Sequence, residues 1–81
     1  MTYSLDPIRL GARTARAYNV LNDAGTRVGA MRRQRSQWLL SMPGQRFVPS
    51  PGSTAAKIGI KFSNVKGFAT VADARKFLKG L

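Results

Sequence analysis

The chain contains no cysteine, no histidine and no glutamate. Without cysteine there is no disulfide and no thiolate metal site. Without histidine the commonest general base and the commonest transition-metal ligand are both missing. Three aspartates, Asp6, Asp23 and Asp73, make up the whole acidic complement and lie far apart in sequence. No pair of carboxylates is therefore placed for acid–base work, and no Gly-rich phosphate loop leads into a helix. These absences predict a protein that is not an enzyme and that needs no metal or cofactor. No apolar run approaches the ~18 residues that span a bilayer. Residues 1–13 lack the basic stretch followed by an apolar one that marks a secretion signal, so the expectation is a cytoplasmic protein without membrane contact.

What is present is positive charge. Fourteen Lys and Arg residues oppose the three acids, for a formal charge of +11 over 81 residues. Ordinary surfaces intersperse both signs, because a large net charge adds self-repulsion to the compact state. Hydrophobic content of 43% is close to the globular norm, which argues against a disordered basic tail. The length fits one domain with a small core. A folded surface of this kind suits a polyanionic partner.

Local signals give a coarse order of elements. Residues 17–21 are rich in strand formers, and Asn22-Asp23-Ala24-Gly25 is turn chemistry, so residues 26–31 read as the return strand. Tyr18 and Val20 then share one face, and Val28 and Ala30 share one on the partner. The polar run 32–37 predicts a second turn near Gln34 to Ser36, followed by a strand through Trp38, Leu39 and Leu40 that ends at Pro43-Gly44. Residues 43–56 form a long Pro/Gly-rich loop, either mobile and functional or an ordered excursion with Phe47 and Val48 tucked onto the core. In residues 57–62, Ile58, Ile60 and Phe62 alternate with Lys57 and Lys61, the pattern of a half-buried strand, and residues 63–67 turn the chain. Thr70 and Asp73 form a relaxed capping box, and Ala74, Phe77, Leu78 and Leu81 make the apolar stripe of a C-terminal helix with Gly80 as its cap.

The expected fold is α+β: a small antiparallel sheet of three to four strands packed on one C-terminal helix. Residues 17–81 form a single β-β-β-loop-β-α domain. Residues 1–16 are either an edge strand through Tyr3, Leu5 and Ile8 or a basic arm through Arg9, Arg13 and Arg16.

Arginines 32, 33 and 35 crowd the expected hairpin tip. The planar guanidinium matches phosphate oxygens and the guanine edge, so such a tip suits groove entry. Arg27, Lys57 and Lys61 are expected on the sheet face away from the helix, and all its charges are expected to be positive. Arg13 and Arg16 extend the candidate nucleic-acid-binding set. Trp38, directly after the tip, fits a core position better than a stacking platform.

Tyr18-Asn19-Val20, Gly25, Val28-Gly29, the Arg-rich turn, Trp38-Leu39-Leu40 and Gly67-Phe68-Ala69-Thr70 leading to Ala72, Ala74, Phe77 and Leu78 carry a resemblance. Over residues 18–78 the chain resembles small sheet-plus-helix DNA-binding domains, the arm-binding domains of tyrosine recombinases and the plant ethylene-response-factor type. The resemblance implies a three-stranded sheet lying in the major groove with a helix behind it. The chain departs from that pattern in its Pro/Gly loop and in the additional strand expected at 58–62. Its short, strongly basic build is also similar to many bacteriophage and mobile-element proteins. The leading expectation is a non-enzymatic binder of double-stranded DNA. Two alternatives are a phage-encoded inhibitor that docks an acidic surface of a host or defence enzyme through the 43–56 loop, and an RNA-binding protein.

Overall fold

The structure, a computed structural model, describes residues 2–8, 16–49 and 51–81. Five strands form one antiparallel sheet in sequential order: β1 (Ser4–Ile8), β2 (Ala17–Leu21), β3 (Arg27–Gln34), β4 (Gln37–Ser41) and β5 (Val65–Phe68). A single helical turn, α1 (Thr54–Lys57), lies between β4 and β5, and α2 (Val71–Lys79) follows β5. The fold is α+β as the sequence indicates, with five strands where three to four are expected. Among the described residues no helix is long and apolar enough to cross a membrane.

Turn chemistry sets the hairpins. Asn22 Oδ1 accepts from the backbone N–H groups of Ala24 and Thr26, both at 3.0 Å, and Gly25 takes φ 77°. Asp23, next to it, accepts from the Thr2 N–H at 2.6 Å and from the Thr2 hydroxyl, which ties the chain before β1 to this turn. Residues 4–8 are thus an edge strand, while Arg9 and Arg13 of the alternative arm lie outside the described residues. Pro7, which has no N–H to offer, falls within this edge strand.

The core lies on the face covered by α2. Leu5, Val20, Met31, Trp38 and Leu40 from the sheet meet Ala74 and Leu78 from the helix, joined by Met42 and Phe47. Thr70 caps α2 by accepting from the Asp73 N–H at 3.1 Å, and Phe77 packs edge-on against Phe47 at 5.3 Å between centroids. Leu81, the expected end of the stripe, is exposed beyond the helix. A bulge at Val20 and Leu21 shifts the β2–β3 register, so Val28 also packs against the core while Ala30 faces away. Gly29 sits where a Cβ would press on the Ser41 carbonyl oxygen and lie 2.9 Å from Met42 Cγ, so no side chain fits there.

The strand expected at 57–62 is not formed. Ser53 caps α1 by accepting from the Ala56 N–H at 3.2 Å, and Gly59 at φ 84° ends it. The Ile60 N–H returns to the Ala55 oxygen at 3.0 Å and the Gly59 N–H to the Ala56 oxygen at 3.2 Å, the paired bonds of a Schellman cap. The final strand falls instead at Val65–Phe68, overlapping the turn expected at 63–67, and is aligned on β4 by Trp38↔Phe68 and Leu40↔Lys66. In the Pro/Gly-rich loop, Phe47 is only 3% exposed and bridges to Ser63, whereas Val48 points to solvent.

Candidate nucleic-acid interface

Strand register sorts the side chains into two faces. Opposite the helix, one row across the sheet reads Ile8, Ala17, Arg32, Leu39, Gly67, and the next reads Asp6, Asn19, Ala30, Ser41, Val65. Gln34 pairs with Gln37 beyond the first row, and Arg27 lies at the far end opposite Leu21. The middle of this outer face is therefore built mainly from small side chains, with arginine towards each end. Arg27 and Arg32 are five positions apart on β3, about 17 Å at ~3.4 Å per residue.

The β3–β4 hairpin end gathers the candidates. Arg32 stands on the outer face and Arg33, opposite Trp38, on the helix side. The Arg33 N–H donates to the Arg16 carbonyl at 3.0 Å, which brings the start of β2 beside the hairpin. The Arg33 Nε donates to the Arg35 carbonyl at 3.4 Å. Arg16, Arg32, Arg33 and Arg35 are all exposed. Two residues, Arg35 and Ser36, make the turn, and Arg35 takes φ 57°. Only the first central residue has positive φ, as in a type II′ hairpin turn, where glycine is the favoured residue. Arginine there carries a backbone cost of about 1–2 kcal/mol.

Three candidates lie elsewhere. Lys57 ends α1 and Lys61 follows the Schellman cap, so neither belongs to the sheet face expected to carry them. Arg13 lies outside the described residues. The outer face is also not of one sign, because Asp6 sits on it opposite Asn19. The Asn19 Oδ1 accepts instead from Arg27 Nε at 2.9 Å. Among the described residues no Lys or Arg forms an ion pair with a carboxylate. Their partners are neutral groups and rings: Lys66 Nζ donates to the Val48 oxygen at 2.9 Å, and the Arg75 guanidinium lies 6.0 Å from the Tyr18 ring centroid.

Gln34 and Gln37 are further candidate residues at this end, absent from the set expected from the sequence. They offer both donors and acceptors at the end of the outer face, and their signal was the polar run on both sides of the turn. Trp38 is buried, packed edge-on against Tyr18 at 5.5 Å, and presents no stacking platform. Asp23, at the opposite end of the sheet, has its carboxyl held below the ordinary 3.8 by the Thr2 hydroxyl first and the Thr2 N–H second.

Compared with known proteins, the chain matches no protein-family model, no curated protein and no solved structure.

Proposed function

We propose that the protein binds double-stranded DNA, without catalysing a reaction, through the arginine-bearing end of its sheet. The observation that carries this reading is the convergence of Arg16, Arg32, Arg33 and Arg35 on one hairpin end with no carboxylate paired to any of them among the described residues. Guanidinium groups in this state are available to phosphate at no cost of breaking an ion pair. A second feature supports it: Arg35 occupies a backbone position that favours glycine, and charge at the tip is a reason to keep arginine there.

The shape favours duplex DNA over duplex RNA. A two-stranded ribbon fits the ~12 Å major groove of B-DNA, whereas the major groove of A-form RNA is too narrow and deep for side chains to read. With the hairpin in the groove, Arg32, Gln34 and Gln37 approach base edges and phosphates on one side. Arg27, about 17 Å along β3, reaches towards the other rim. The resemblance to sheet-plus-helix DNA-binding domains points the same way. A cytoplasmic location and a phage or mobile-element origin accompany this reading.

The test is a salt-series anisotropy titration with duplex DNA, single-stranded DNA and duplex RNA as competing ligands. The reading predicts affinity that falls steeply with salt and a preference for duplex DNA. Affinity that stays flat with salt, or equal affinity for all three, contradicts it.

A further inference from the structure

The segment from Arg46 to Phe62 carries a surface that the DNA reading does not use. Val48 is 65% exposed, Ile58 70%, Ile60 42% and Phe62 53%. These side chains fall close together along the chain. The Phe47–Ser63 bridge sets Val48 beside Phe62, and the Schellman cap holds Ile58 and Ile60 at the end of α1. Arg46 lies over the Phe62 ring at 5.2 Å, and Lys57 and Lys61 interrupt the apolar positions. No acid occurs anywhere between Asp23 and Asp73. Apolar side chains grouped in this way, with cations between them, are the composition of a docking surface.

Charge decides between the possible occupants. A second copy would set Arg46, Lys57 and Lys61 against themselves, on a chain that already carries +11. Base stacking uses aromatic faces, which isoleucine and valine do not offer, and the face of Phe62 is already beneath a guanidinium. An interfacial helix meets a membrane surface with a continuous apolar face, and α1, one turn of four residues, provides none. A protein segment that presents carboxylates beside apolar side chains satisfies both halves of the patch. We infer that Val48, Ile58, Ile60 and Phe62, with Arg46, Lys57 and Lys61 around them, dock an acidic, apolar segment of another protein. This surface acts independently of the hairpin end.

The experiment uses the full chain and labelled short synthetic peptides that combine Glu with Leu, with peptides rich in Glu alone or in Leu and Lys as controls. Binding is read by anisotropy for the wild type, Ile58→Ser/Phe62→Ser and Lys57→Gln/Lys61→Gln. The Glu/Leu peptides should bind the wild type, and each double variant should weaken them by about 30-fold, roughly the loss of one interface hot spot. Duplex DNA binding should stay unchanged in both variants. Thermal midpoints report folding, and the lysine pair carries the test if the apolar pair melts early. Glu/Leu peptides that bind no better than the controls, or bind the variants equally well, overturn the inference. So does a wild-type dimer that Ile58→Ser/Phe62→Ser dissociates, which assigns the surface to a second copy. Binding to phosphatidylglycerol vesicles that this variant abolishes, with no peptide binding, assigns it to a membrane and also overturns the inference.

Discussion

Replacing Arg32, Arg33 and Arg35 together by Gln should change the salt dependence of DNA binding more than any other surface substitution. On the proposed reading five guanidinium groups meet the duplex: Arg16, Arg32, Arg33 and Arg35 at the hairpin end and Arg27 at the far rim. Each phosphate neutralised adds about −0.9 to the slope of log affinity against log salt, so five predict a slope near −4.5. Raising salt from about 50 to 200 mM then weakens wild-type binding by roughly 500-fold, whereas two remaining contacts give roughly 12-fold over the same range. The assay is fluorescence anisotropy at a series of salt concentrations, with thermal unfolding as the folding control. The three arginines are exposed and outside the core, so the fold should be retained. A variant whose slope equals the wild type's would refute the argument, because the phosphate contacts would then lie elsewhere.

Three further outcomes follow from the packing and the turns. Arg35→Gly should raise stability by about 1 kcal/mol, because glycine adopts φ 57° without the Cβ penalty, and should weaken DNA binding at the same time; urea unfolding reads the first effect, and a loss of stability would contradict the turn assignment. Gly29→Ala should destabilise by about 1–3 kcal/mol, since its Cβ meets the Ser41 carbonyl oxygen and Met42 Cγ, and an unchanged urea midpoint would disprove that crowding. Asp23 has a folded pKa below its unfolded value, so its contribution to stability is complete above the unfolded value and is lost as pH falls through the folded one. Asp23→Asn should therefore flatten the acid side of a plot of thermal midpoint against pH, and a curve identical to the wild type's would show that Thr2 does not hold the carboxylate.

Locally encoded elements were legible. The Asn22-to-Gly25 turn, the Thr70 cap and the Ala74, Phe77, Leu78 stripe each act over a few residues, and each is found where the sequence places it. Residues 57–62 misled because Ile58, Ile60 and Phe62 imitate a strand, while Ser53 and Gly59 are the two ends of a helical turn. Gly59 falls inside that run, and its position six residues after a serine cap was the available signal. The strand at Val65–Phe68 is short and set by distant partners, the Met42 N–H on the Asn64 oxygen and Phe47 on Ser63. Gly67, read as a turn residue, leaves room for Gln37, whose Oε1 would lie 2.7 Å from an added Cβ.

The same division applies to the site. The Arg32, Arg33 and Arg35 tip was readable because the polar run itself marks a turn. That Arg16 joins it depends on the β2–β3 register, and that Lys57 and Lys61 do not depends on the Gly59 cap. The placement of Asp6 on the outer face follows from the pairing of β1 with β2, which one short strand beside a basic stretch could not specify.

The central claim is that the hairpin end touches the nucleic acid, and a chemical-shift titration of the labelled protein with duplex DNA tests it most directly. The account predicts the largest amide and guanidinium perturbations at Arg16 and over residues 32–37, with smaller ones at Arg27 and none at Ile58 or Ile60. Perturbations confined to α2 or to residues 46–62, with the hairpin end silent at saturation, would contradict it.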